Sequence, residues 1–246
     1  MMESKKPERQ MIKIELRPVG MNYSLAMEEL RREYAKIVGV YEAAIREINA
    51  RLQTLDAEFS IKHQHNPIHH IETRVKSLDS IVKKLHDTGI PISMDNAKKN
   101  LHDIAGVRVV CCYVDDIYRI ADLLLAQDDI SLILEKNYIK RPKPNGYRSL
   151  HIVVDVPVYM SQGKLFIPVE IQIRTVAMDF WATLEHGIRY KATDEVSQSI
   201  VDELRNCADV ITETDYKMQE IFKALQQVHD KADIPTESIV DAEMKV

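Results

Sequence analysis

The sequence predicts an α+β protein: a mixed, mostly antiparallel sheet flanked by helices, with a long amphipathic helix at each end. Three observations lead there. Apolar residues recur at steps of three and four over residues 22–59 and again over 199–229, which is helical spacing. Between them lie short valine- and isoleucine-rich runs of strand length. Two of these runs flank SQGK, a hairpin turn, so at least one strand pair is antiparallel.

The elements follow in order. Residues 1–20 carry many charges and two prolines and are expected to form a flexible arm. Leu30, Tyr34, Ile37, Tyr41, Ile45, Ile48, Leu52, Leu55 and Phe59 make the stripe of the first helix, weakened only by Gly39. Pro67 ends it. Residues 72–85 read as a second helix, closed by Gly89 and Pro91, and a short third helix is capped near Ser93. Residues 104–114 read as a strand, 115–127 as a helix and 130–139 as a strand. The hairpin strands occupy 149–160 and 165–174. Helix returns over 177–191, and the final helix presents Ile200, Leu204, Ile211, Met218, Phe222 and Leu225. The order β-α-β-β-β between helices argues against a doubly wound parallel sheet. Part of the apolar face of the terminal helices is free to pack on the sheet and part on another subunit. The whole is expected as one domain over residues 21–232, followed by an acidic tail over 233–246.

Bulk properties narrow the function. The 246 residues are 45% hydrophobic and 29% charged, with a net charge of −5. The chain can bury a core without metals or disulfides, and it is no basic nucleic-acid coat, so anion binding needs a local patch. The three cysteines, Cys111, Cys112 and Cys207, are expected as reduced thiols, consistent with a cytoplasmic protein. The N-terminus lacks a signal-peptide core, and no apolar run approaches a membrane span. HQHNPIHH (63–70) lacks the spacing of a structural zinc site. The two His-Asp pairs, His86–Asp87 and His102–Asp103, lack the larger helical domain that a metal phosphohydrolase needs.

Several residue sets could carry chemistry. Alternation puts Glu170, Gln172 and Arg174 on one face of their strand and Val169, Ile171 and Ile173 on the other. The polar face is either solvated, or covered and then in need of a partner such as a metal, a cation or a substrate hydroxyl. Asp103 sits where a loop enters a strand. Two carboxylates on neighbouring strands can hold Mg²⁺ with phosphate oxygens and water. Arg108 lies amid apolar strand residues and either reaches an edge or stacks on something flat. Lys76, Ser80 and Lys84, spaced i, i+4, i+8, would share one helix face and could grip a polyphosphate, or form an ordinary solvated face. RPKPNGYRSLHIVVD (141–155) places Lys143 and Arg148 around Tyr147, a ring able to stack on a base, with Gly146 allowing close backbone approach. The alternative is a surface turn with incidental charge. Neither the GxxxxGK[ST] loop nor GxGxxG occurs.

RVKSLDSI (74–81), DIAGVRVV (103–110), GYRSLH (146–151), VEIQIRT (169–175) and FWATLEH (180–186), in this order, resemble the synthetase domain of the RelA/SpoT family. The resemblance spans roughly residues 22–230 and is similar in length to the small, single-domain alarmone synthetases. It implies a nucleotidyltransferase-like fold and transfer of the β,γ-pyrophosphate of ATP to the ribose 3′-hydroxyl of GDP or GTP, giving AMP and the stringent-response alarmones ppGpp or pppGpp. It further implies Mg²⁺ on Asp103 and Glu170, with Glu170 orienting or deprotonating the 3′-hydroxyl. Arg74 and Arg108 would sandwich adenine, and Lys76, Ser80 and Lys84 would surround the ATP phosphates. Tyr147 would stack on guanine, with Lys136, Lys143, Arg148, His151 and Gln172 as further GDP/GTP contacts. Asp179 falls where some members have asparagine. A homotetramer through the terminal helices, synthesis without hydrolysis, and no requirement for nucleic acid or membrane complete the expectation.

Overall fold

The structure, a computed structural model, describes residues 23–62, 65–191 and 197–232. The expected arm and acidic tail, and His63 of the histidine cluster, lie outside them. Within the stretch expected as one domain, contacts cluster into two compact units. One comprises residues up to Gly39 and Lys76–Leu101; the other comprises Val40–Val75 and the chain from His102 onward.

The smaller unit contains the start of helix α1 (Tyr23–Lys62), helix α2 (Leu78–Asp87) and helix α3 (Met94–Asn100). Ser77 and Ser93 cap α2 and α3 by accepting from the backbone N–H three residues on, which satisfies donors with no helical partner. Ile81, Val82, Leu85, Met94 and Ala97 are buried. Tyr34 donates its hydroxyl proton to the Lys76 carbonyl at 3.1 Å.

The larger unit is built on a five-stranded sheet of order β1-β2-β5-β4-β3, with β1 Ile68–Val75, β2 Ala105–Cys111, β3 Ser131–Asn137, β4 Leu150–Met160 and β5 Gly163–Thr175. Only β2 and β5 run parallel; the other neighbours are antiparallel. Ser161 and Gln162 alone connect β4 to β5, and Gly163 takes φ +121°, which suits a tight hairpin. The apolar face carries Val107, Val109, Ile152, Val154, Ile171 and Ile173, all buried. Helix α4 (Val114–Leu125) packs on β2 and β5 and buries Ile117, Ile120 and Leu124. The second half of α1 runs unbroken past Gly39 and buries Tyr41, Ala44, Ile45, Ile48, Leu52 and Phe59. Arg51 fixes it with a two-pronged bond to Asp129, 2.8 Å on each side.

Helices α5 (Val176–Lys191) and α6 (Gln198–Ala232) pack together. Thr175 donates to the buried Asp215 of α6 at 2.8 Å, and Gln219 accepts from the Asp115 N–H at the start of α4. Cys111 is buried, Cys112 half-buried and Cys207 exposed, and all three are free thiols; burial pushes the Cys111 thiol well up.

One expected element is corrected. Residues 72–85 are not one helix: residues up to Val75 belong to strand β1, and the helix starts after Ser77. The apolar steps from Val75 to Leu85 mimic helical spacing, but residues 70–75 of β1 pair in unbroken register with β2, and tertiary pairing overrides local pattern. Lys76 therefore precedes α2, so the i, i+4, i+8 face does not form from all three residues.

Ile171 is fully buried (0% exposed) and Ile133 is 42% exposed. Ile171→Ala should lower the unfolding free energy by about 2–5 kcal/mol, whereas Ile133→Ala should change it by less than about 0.5 kcal/mol. Urea denaturation of both variants checks this; equal losses would place the core elsewhere.

Candidate active site

Strand register assembles a polar surface on the other face of the sheet. Arg74 of β1 lies opposite Gly106 of β2, and Glu72 opposite Arg108. Gly106 lies beside Glu170 and Arg108 beside Gln172 in the parallel pairing. Gln172 faces His151 of β4, and His151 faces Lys136 of β3. Paired residues share a sheet face, so two neighbouring rows form there: Arg74, Gly106 and Glu170 in one, and Glu72, Arg108, Gln172, His151 and Lys136 in the other. Gly106 puts no side chain between Arg74 and Glu170; an added Cβ would make ordinary contact with Arg74 Cγ at 3.5 Å. A concavity there is lined by Arg74, Gly106, Arg108, Glu170 and Gln172.

Glu170 is held at both oxygens. Gln172 Nε2 donates to Oε2 at 2.8 Å, and His151 Nδ1 lies 3.4 Å from Oε1. Burial pushes the carboxyl up, but the His151 bond and charge and the Gln172 bond outweigh it, so it sits below the usual glutamate value. The nearby Asp103 charge opposes this fall. Asp103 lies in the loop entering β2, with Oδ1 sealed from solvent. The two acids thus form an oxygen-only donor pair of the kind that suits a hard divalent cation completed by phosphate and water. Among the described residues no group of three His, Cys, Asp or Glu gathers that could hold a metal ion, so protein side chains alone do not build a full shell.

The loop from Lys143 to Tyr147 is shaped by its backbone. The Gly146 N–H bonds the Lys143 carbonyl at 2.8 Å, and the Lys143 N–H bonds the Tyr147 carbonyl at 3.1 Å. Gly146 takes φ +90° and lies so close to α6 that a Cβ would come 2.5 Å from the Ala208 methyl; only glycine meets both demands. Arg205 of α6 donates to the Pro144 carbonyl at 2.8 Å. Lys143 Nζ stands 4.7 Å from the centre of the Tyr147 ring and 4.8 Å from that of Tyr138. The Tyr147 hydroxyl meets His151 Nε2 at 2.8 Å and accepts from Arg174 Nη2 at 2.9 Å. Burial raises its pKa, with the Arg174 charge pulling the other way.

Not every expected contact points here. Arg148, expected beside acceptor phosphates, is 6% exposed and donates to Thr212 and Tyr216 of α6. It is one residue out of step with Tyr147 and turns onto the helix, so its charge serves packing. Lys76, Ser80 and Lys84 belong to the smaller unit. Ser80 shares a 2.8 Å hydroxyl contact with Ser77 at the α2 cap, and Lys84 lies on α2.

Two residues noted in the sequence were given no role there, and the structure brings them to this surface. Arg174, 3% exposed, contacts Asp179 at 3.3 Å as well as Tyr147, and Asp179 lies 3.6 Å from Arg108. Arg108 also bonds Glu72 at 2.9 Å. Strand alternation had put Arg174 on the right face; the approach of α5 that brings Asp179 to it leaves no mark in the sequence.

Comparison with known proteins places this geometry. The family described as "Region found in RelA / SpoT proteins" matches residues 73–195. The GTP pyrophosphokinase YwaC of Bacillus subtilis is 42% identical over 184 residues, covering 75% of this chain and 88% of that protein. The GTP pyrophosphokinase YjbM of the same organism is 32% identical over 196 residues, covering 80% and 92%. The crystal structure of small alarmone synthetase 1 from Bacillus subtilis bound to its product pppGpp superposes with a TM-score of 0.74 at 32% identity, over 79% of this chain and 99% of that one. The fold thus recurs in a relative whose structure holds pppGpp. The chain belongs to the RelA/SpoT family, and within it groups with the small alarmone synthetases.

The depressed Glu170 carboxyl has a pH consequence. A folded value below the ordinary 4.5 means that the stability contributed by ionised Glu170 is fully present above that value and is lost as pH falls through the folded one. From about pH 5 to about pH 3, wild type should therefore lose stability faster than Glu170→Gln. Parallel acid limbs in urea titrations would contradict the assignment.

Proposed function

We propose that this chain is a GTP pyrophosphokinase that moves the β,γ-pyrophosphate of ATP onto the 3′-hydroxyl of GDP or GTP, releasing AMP and ppGpp or pppGpp. The observation that carries the reading is Glu170: a carboxylate mostly shielded from water, kept ionised by donors at both oxygens, beside Asp103 and between two basic flanks. The named activity of relatives that this chain covers almost end to end supports it.

The side chains divide the work. Glu170 orients the 3′-hydroxyl and takes its proton as that oxygen bonds to the β-phosphorus of ATP. The bond from the β-phosphorus to the bridging oxygen breaks, and AMP leaves with the electron pair. Asp103 and Glu170 would hold Mg²⁺, which when bound neutralises charge on the phosphate oxygens. Arg74 and Arg108 flank the adenine of ATP. Lys76, Ser80 and Lys84 remain assigned to its phosphates on the sequence motif alone. Tyr147 offers its ring to guanine, with Lys136, Lys143, His151 and Gln172 near the acceptor. Such transfer needs alignment and charge neutralisation more than covalent help.

The same reading includes synthesis without hydrolysis, a cytoplasmic setting and a homotetramer. No described helix is long and apolar enough to cross a membrane. Val210, Met218, Ile221, Leu225 and Val228 of α6 are largely exposed, an apolar helix face that a partner subunit would cover.

Purified protein with ATP, Mg²⁺ and GDP, GTP or GMP should release AMP and a guanosine polyphosphate; binding without AMP release would indicate a non-catalytic nucleotide module. Asp103→Ala and Glu170→Ala should each cut turnover by at least about 10²-fold with the fold intact by circular dichroism. Tyr147→Ala should raise the acceptor KM by about 10-fold and the ATP KM by less than about 2-fold; equal rises would remove guanine stacking from the reading.

A further inference from the structure

Arg174 is the most buried charge on the active face, at 3% exposure, and it meets Glu170 only through Gln172 and through Tyr147 and His151. Its Nη2 is shared between the Tyr147 hydroxyl at 2.9 Å and Gln172 Oε1 at 2.8 Å. A guanidinium is only a donor, and that fixes the direction of every bond that follows. Gln172 must present its oxygen to Arg174, so its NH₂ faces Glu170 Oε2, at 2.8 Å. The Tyr147 oxygen accepts from Arg174, which leaves its single proton for His151 Nε2 at 2.8 Å. His151 then accepts at Nε2 and carries its proton on Nδ1, the nitrogen 3.4 Å from Glu170 Oε1. Both arms start at one guanidinium and end as donors on the two oxygens of one carboxylate.

We propose that Arg174 is a positioning residue that sets the donor direction around this closed ring, and so fixes both the Glu170 carboxylate and the Tyr147 ring in register with each other. The proposal rests on the pyrophosphokinase reading for its effect on turnover, but the ring itself stands without it. Asp179, 3.3 Å from Arg174 Nη1, anchors the guanidinium from α5. A lysine could not replace it, because one ammonium does not span Tyr147, Gln172 and Asp179 in a planar fork.

The test is ¹⁵N NMR of the histidine rings at one neutral pH in nucleotide-free protein, with His151 assigned by His151→Gln. Wild type should show His151 protonated at Nδ1 and bare at Nε2. Arg174→Met should lose that preference and lower kcat by at least about 10-fold while the ATP KM moves less than about 3-fold. In Arg174→Ala, added guanidine should recover at least about 5-fold of the lost rate, which a general loss of stability would not allow. A wild-type proton on Nε2 overturns the proposal whether or not the variants fold, and so does an Arg174→Met enzyme with unchanged kcat and tautomer. A wild-type protein with the Nδ1 proton but no AMP release would sink the pyrophosphokinase reading and leave the ring standing.

Discussion

The parallel pairing of β2 with β5 is the constraint on which the active face depends. It is the only parallel ladder in a sheet otherwise antiparallel, and it sets Gly106 beside Glu170 and Arg108 beside Gln172. A slip of one residue would carry Glu170 to the apolar side and Ile171 to the polar one. The buried row of Val107, Val109, Ile171 and Ile173 makes such a slip costly. The core thus holds the chemistry in register from the opposite face of the same strands.

Charge at the site is managed by pairing. Four ionised groups, Glu72, Arg108, Asp179 and Arg174, alternate in sign within short contacts. Burial lowers the Arg174 guanidinium from its usual value, while Tyr147 and Asp179 act against the fall. Desolvated charges persist only where partners surround them, and here the partners come from β1, β2, β5 and α5. An arrangement drawn from so many elements is rigid because each is fixed elsewhere: α5 through Thr175 to Asp215, and the loop from Lys143 to Arg148 through Arg148 and Arg205 to α6.

Helix α6 therefore has two surfaces with different duties. One presses Ala208 against Gly146 and accepts the Trp181 indole N–H at the Leu204 carbonyl, setting the height of Tyr147. The other leaves Met218, Ile221 and Leu225 exposed. Anything seated on that outer surface would bear on the same helix that holds the Gly146 loop.

The sequence by itself determined the helix–sheet–helix order, the hairpin, and the sharing of one face by Glu170, Gln172 and Arg174, because these follow from periods of 3.6 and 2. Its motifs carried the family. It could not separate β1 from α2, since Val75 to Leu85 satisfies helical spacing and only the ladder to β2 decides otherwise. Nor could it show that Arg148 faces α6 while Tyr147 faces His151, or that Asp179 joins Arg108 to Arg174. Those outcomes depend on which distant helix closes on a strand end. Local periodicity fixes the face on which a side chain leaves its backbone; only the packed tertiary structure decides what waits there to meet it.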